Sequence, residues 1–174
     1  PLHPVLAGQL DLEYAIWAWD LETAELHGRR EAILGSSAGV FRIDVSDLDN
    51  PSVISILGRS GESVAIDDTI AFIGYWGKIE ARKLEADGGF TLLESILTEG
   101  GPYTHALMTR NGRLYASHRT LVESYFTSYT WSRSGGFRVE DRVPIAGYVT
   151  NGNGGPIGLP NQRILVPAIS GLHL

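Results

Sequence analysis

Among the side chains able to do chemistry, His105 stands out, set in the window GGPYTHALMTRNGRLYASH (100–118). A neutral imidazole can take a proton as a general base or orient a carbonyl. The competing role is a hydrogen bond to a neighbouring structural layer. Arg113 and Arg119 follow it, and each offers a guanidinium fork suited to clamping a carboxylate. His118 closes the same window and is expected at a strand end facing solvent. His3, His27 and His173 lie near chain ends or a charged turn and read as surface groups. No two histidines have the close spacing of a zinc site, and cysteine is absent. The lack of thiols excludes a disulfide framework, a zinc ribbon, a cysteine nucleophile and a thiol redox centre. No metal and no cofactor is expected.

Two further patterns imitate sites. The run GSSAG (35–39) has the form of a nucleophile elbow centred on Ser37. That chemistry needs a helix after the turn, so that its N-terminus supports the oxyanion. A strand pattern follows here, so a hairpin loop is expected. Asp44, Asp47 and Asp49 make an acidic turn, but Pro51 falls where a calcium loop needs its third ligand. Side chains bonding backbone amides are the expected role. Of the aromatics, Trp76 beside Gly77 and Trp131 before a turn are placed to reach a rim or channel. There an indole stacks on a sugar or a partner peptide. The others are expected to pack. The Gly/Pro-rich stretch 147–160 reads as a long loop, of the kind that carries function on a rigid scaffold or is disordered surface.

What must position these residues is a set of short strands. Glycine, at 21 residues, punctuates runs rich in Val, Ile, Tyr, Phe and Thr. No helical stripe of any length is present. Segment 15–26 carries a possible helix start, but its aromatics and its Asp-Leu-Glu-Thr turn suit a strand and hairpin better. Strands are predicted at 4–8, 14–21, 31–34, 40–45, 52–57, 63–66, 70–75, 78–84, 90–97, 105–109, 113–117, 122–131, 137–144, 163–167 and 172–174. Asn111-Gly112 is a strong hairpin signal, because both residues accept positive φ. The apolar run 70–73 suits a strand buried on both faces.

The strands recur in a pattern. Segments 68–84, 111–129 and 161–174 each read polar turn, apolar strand, small-residue turn, strand. A period of roughly 40–50 residues fits one four-stranded blade per unit. A blade cannot bury both faces alone, so blades stack about an axis. The reading is all-β: a β-propeller built of four-stranded antiparallel blades, about four of them, as a single domain or propeller fragment over 1–174. The distance from Tyr14 to Val40 is too short for a blade, and the last strand stops at Leu174. Both suggest an incomplete propeller. A β-sandwich with irregular loops is the rival architecture.

Three windows carry resemblances. Segment 15–26 (AIWAWDLETAEL) resembles the end of a WD40 repeat, with Trp19-Asp20 at the Trp-Asp position. Segment 40–53 (VFRIDVSDLDNPSV) resembles an LVIVD-type propeller repeat, whose strand runs into a turn filled here by Asp44, Ser46, Asp47, Asn50 and Pro51. Segment 100–118 resembles the start of a blade in the lactonase-like propellers, among them 6-phosphogluconolactonases and carboxymuconate cyclases. The opening PLHPVLAG is loosely similar to the start of the cyclase-type chains. The lactonase-like resemblance implies that His105 lies near the start of an innermost strand and lines an axial active site. Thr104 stands where those enzymes often carry Arg, which weakens the case for a phosphorylated or carboxylated substrate.

Composition narrows the partners. The chain has 174 residues, a net charge of −6 and 43% hydrophobic residues, an ordinary globular balance. A pI near 5.3, two lysines (Lys78 and Lys83) and scattered arginines argue against nucleic acid. No apolar run approaches the roughly 18 residues that span a bilayer, so no membrane partner is expected. No signal peptide is visible, although the chain opens at Pro1, and the compartment stays open. Two functions remain. One is a lactonase-like enzyme or binder acting on a lactone or sugar acid in an axial channel, as a hydrolase or isomerase. There His105 is base or orienter and Arg113 or Arg119 the clamp. The other is a non-catalytic WD40- or LVIVD-like scaffold that binds a protein on one rim. A homo-oligomer is compatible with either.

Overall fold

A computed structural model describes residues 7–12, 17–98, 103–120 and 123–145, with the backbone of 157–158, 164–168 and 171–173. Sheet one holds β1 (Ala18–Leu26), β2 (Arg29–Ser36), β3 (Val40–Asp44) and β4 (Ser52–Leu57). Sheet two holds β5 (Ser63–Asp67), β6 (Ile70–Tyr75), β7 (Lys78–Leu84) and β8 (Phe90–Leu97). Sheet three holds β9 (Tyr103–Arg110), β10 (Arg113–Arg119), β11 (Ser124–Ser132) and β12 (Gly136–Ile145). Each is antiparallel and runs in simple sequence order. A three-stranded sheet follows, of β13 (Ile157–Gly158), β14 (Ile164–Ala168) and β15 (Gly171–His173).

Turn chemistry fixes the hairpins. Asn111 and Gly112 both have positive φ (52° and 70°), as the dipeptide predicts. The first hairpin departs from expectation. A strand over 14–21 turning within 20–23 was predicted, but β1 pairs continuously with β2 as far as Leu26↔Arg29. The turn falls at His27-Gly28 (φ 51° and 76°), where two successive left-handed residues supply the twist that a two-residue hairpin needs. Sheet one is therefore a full four-stranded unit, and the spacing from Tyr14 to Val40 does not signal a deficit. Residues 4–6 of the strand expected at 4–8, and most of the loop 147–160, lie outside the described residues.

The sheets stack face to face, and this is what buries the apolar residues. Ile33, Val40, Val64, Ala71, Ile73 and Leu84 fill the layer between sheets one and two. Phe72, Ile79, Leu107, Leu114 and Tyr129 fill the layer between sheets two and three. Phe41 and Ile43 face the other side of sheet one, where Leu10 and Leu12 cover them. Along β3, Val40 and Arg42 thus face one way and Phe41 and Ile43 the other, and both faces are covered. β6 is buried along its whole length, as its unbroken apolar run predicts.

The first strands of the sheets are neighbours, β1 beside β5 and β5 beside β9. Side chains tie them: Val64 N–H donates to Asp20 Oδ2 (2.9 Å), and Ser63 Oγ donates to the Thr104 carbonyl (2.9 Å). Thr109 Oγ1 donates back to the Ile66 carbonyl (2.6 Å). The fourth strands are the outer edges, and each pairs irregularly with the third. Register shifts fall at Arg42/Ile43, Ala81/Arg82 and Ser128/Tyr129. The architecture is all-β and propeller-like, without a closed ring among the described residues.

Beneath the packing lies a buried ion pair. Glu31 and Arg42 are both fully buried, and Arg42 donates Nε to Glu31 Oε2 (2.9 Å) and Nη2 to Oε1 (3.0 Å). Its Nη1 donates to the carbonyls of Glu85 and Gly89 (2.9 Å each), in the turn between β7 and β8. One guanidinium therefore clips sheet one to sheet two.

Candidate functional site

The stack brings the first strands' starting ends together with the β2–β3 and β6–β7 turns. Trp76 stands at the β6–β7 turn with 63% of its surface exposed and bridges to Tyr103 at the head of β9. The Trp76 and Tyr103 rings lie 4.1 Å apart, and Tyr103 stacks on His105 at 5.6 Å and 15°. The result is an aromatic row running from an exposed indole to a half-buried imidazole. Tyr103 and His105, two apart on one strand, share a face; a bulge falls there as well, since Thr104 pairs with His118 and Ala106 with Ser117, leaving His105 as the extra residue of β9. Arg119 lies opposite Tyr103 in register. Directly opposite residues share a face, which places Arg119 on the row's side of the sheet.

Glu62 joins this end from the residue before β5. Its backbone N–H donates to the Gly74 carbonyl (2.8 Å), two residues before Trp76. Ser63 beside it reaches the Thr104 carbonyl beside His105, so Glu62 and His105 leave neighbouring first strands one residue from a common contact. Glu62 Oε2 is buried without a hydrogen-bond partner among the described residues. Burial alone lifts its carboxyl to about 7, which leaves it shared between acid and base forms at neutral pH. Glu62 carries no distinguishing signal in the sequence. Its context, Gly61-Glu62-Ser63, is an ordinary turn pattern, and burial against a second sheet has no local signal.

The other sequence candidates are distributed elsewhere. Arg113 pairs with Arg110 at the far end of β9, and five residues of extended strand put it about 16 Å along the sheet from His105. It forms an ion pair with Glu140 (3.2 Å). Trp131 packs into the layer between sheets two and three, with its ring 5.7 Å from Phe72, instead of projecting from a rim. His118, expected to face solvent, is fully buried. Its Nδ1 meets Thr104 Oγ1 (3.3 Å) and its Nε2 meets the Tyr129 hydroxyl (3.1 Å). Burial, then Arg142 and His105, push its pKa down to about 3, so the ring is neutral. The Ser37 loop leads into β3, not a helix, and Ser37 Oγ accepts the Trp17 N–H (3.2 Å). In the acidic turn Asp44 accepts the Ser46 N–H (2.9 Å), and Asp47 accepts the Asp49 N–H (3.0 Å) and the Asn50 side chain (2.9 Å). These bonds hold both carboxyls below the usual range.

No family model and no curated protein matches the chain. Solved structures do. A protein from Lactobacillus plantarum aligns with a TM-score of 0.64 at 15% identity, over 86% of this chain and 48% of its own. A Bacteroides fragilis protein named as a candidate 6-phosphogluconolactonase aligns with a TM-score of 0.56 at 14% identity, over 75% of this chain and 41% of its own. The fold is lactonase-like. At this identity the likeness is one of backbone architecture, and the chain spans about half the length of the structures it matches.

Proposed function

We propose that the chain is part of a lactonase-like propeller that binds, and hydrolyses or forms, a lactone or sugar acid at the first-strand end. The observation that carries this reading is the aromatic row Trp76–Tyr103–His105, which lies at the same end of the stack as Glu62. An exposed indole offers an apolar shelf for a sugar ring. The half-buried imidazole at the row's inner end and, at the same end of the stack, a carboxyl poised near neutrality are suited to general acid–base work on an ester carbonyl. Arg119 is the candidate clamp for a carboxylate product, and Arg113 lies too far along the sheet to share that role. Catalysis by His105 is tested by turnover of a panel of sugar lactones. His105→Ala and Glu62→Gln are each expected to lower kcat by about a hundredfold, the usual scale of general acid–base catalysis. Unchanged turnover in both variants, with circular dichroism intact, overturns the catalytic role.

A second reading is a protein-binding scaffold. It is supported by apolar side chains exposed along the outer strands: Leu92 and Leu97 on β8, Val139 and Val143 on β12. A stable partner captured through those residues, with no effect of lactones on melting, favours the scaffold.

A further inference from the structure

A cleft of about 280 Å³ opens on the outer side of the stack, between the end of β8 and the strands β11 and β12. None of the residues in the aromatic row lines it. Two of its walls hold buried hydroxyls, Thr98 Oγ1 and Thr127 Oγ1, with no hydrogen-bond partner among the described residues. Thr98 is 7% and Thr127 2% exposed. A buried hydroxyl without a partner lowers stability, and two in one cleft mark a place where oxygen acceptors are wanted. Leu97 and Val139 supply an apolar wall and are largely exposed. Arg142 crosses the mouth, its guanidinium 3.7 Å from the centre of the Tyr125 ring.

Arg142 also shows which charge the mouth accepts. Its Nη2 donates to Glu123 Oε1 (3.2 Å), a carboxylate supplied by the chain itself and more than half exposed. An exposed pair of this kind is weak, so a dissolved carboxylate can exchange for the tethered one. Behind the cleft, His118 is bonded through Nε2 to the Tyr129 hydroxyl and is neutral, so the inner wall adds no charge. We propose that this cleft binds a small organic monocarboxylate with a short apolar body. The carboxylate lies between Arg142 and the hydroxyls of Thr98 and Thr127, and the body lies against Leu97 and Val139. The proposal does not depend on the lactone reading.

The test uses the unaltered chain, methyl resonances in carbon–proton spectra, and two probes of equal shape, benzoate and benzamide. Benzoate is expected to shift the methyls of Thr98, Thr127, Leu97 and Val139 saturably, with benzamide about tenfold weaker for want of the charge. Thr127→Val keeps the shape and removes the unpartnered hydroxyl, so it folds. It and Arg142→Gln should each weaken benzoate about tenfold. Equal binding of the two probes overturns the proposal. So does an absence of shifts at these methyls, or benzoate binding unchanged in both variants.

Discussion

Replacing Arg42 by Met removes a guanidinium that makes four hydrogen bonds at full burial, two to Glu31 and two to carbonyls of the next sheet. The substitution roughly preserves length and apolar contact, so the loss is electrostatic. It leaves the Glu31 carboxylate buried with only Arg29, whose Nη2 lies 3.2 Å away and whose side chain is about one-third exposed. It also strips a donor from the Glu85 and Gly89 carbonyls. Breaking a buried pair from one side costs about 3–5 kcal/mol. With a urea slope of about 2 kcal/mol per molar, the midpoint should fall by about 2 M. Unfolding followed by tryptophan fluorescence reads this, because Trp17, Trp19, Trp76 and Trp131 report on the three four-stranded sheets. The double variant Glu31→Leu/Arg42→Met should recover most of the loss, since an apolar replacement of both partners is often neutral. A single-variant cost below about 1 kcal/mol refutes the reasoning, because it would mean that the pair is hydrated or that the sheets are held without it.

Four substitutions test the packing and the titrating groups. A methyl at Gly74 would lie 2.3 Å from Ser63 Oγ and 2.7 Å from Thr104 Cγ2, so Gly74→Ala should cost about 1–3 kcal/mol in urea melts. Gly58→Ala, with open space around it, should be close to neutral. Glu62 holds its proton more tightly in the folded state, with its pKa raised from 4.5 to about 7. Its contribution to stability is therefore full below about pH 4.5 and drains away as pH rises to about 7. Glu62→Gln should flatten that decline in melting temperature measured from pH 5 to 8. His118 has the opposite sign: its pKa falls from 6.5 to about 3, so its contribution is full above about pH 6.5 and lost as pH drops towards 3. His118→Gln should shrink the acid-side loss, read from urea midpoints at pH 4 and pH 7.

Most of the strand order was legible in the sequence, because strand signals are local. The runs 70–75, 78–84 and 90–97 were predicted with the bounds that the structure shows. The Asn111-Gly112 hairpin was equally plain, since two residues define it. The first hairpin was misread because His27-Gly28 carries no conventional turn pair, while Asp20–Thr23 resembles one in composition. Side-chain fates were far less legible. Arg42 alternates with Val40 and Asp44 just as a solvated residue would, yet it is fully buried, because its acceptors come from Glu31 and from a turn more than forty residues away. His118 and Glu62 were missed for the same reason. The contacts that hold His118, with Thr104, Tyr125 and Tyr129, come from strands β9 and β11 on either side of it, and such cross-strand neighbours have no signature in a single strand. His105 was found because its window is distinctive. Its neighbour Tyr103 lies two residues away on the same strand, but Trp76 joins them only through the stacking of sheet two on sheet three.

The register shifts at the outer edges have a consequence for how such a molecule can grow. A regular outer strand exposes a ladder of N–H and C=O groups on which a stranger's strand can crystallise. Here β4, β8 and β12 each break step with the strand inside them, so the rungs on that side are unevenly spaced. Lateral addition of a fifth strand is discouraged three times over, at one comparable place in each sheet. The broad faces carry no such interruption, and it is through them that sheets one, two and three pack on one another. Enlargement is thereby channelled into one dimension, page upon page, which lets a chain lengthen by whole sheets without acquiring the sticky margins that lead to fibrils.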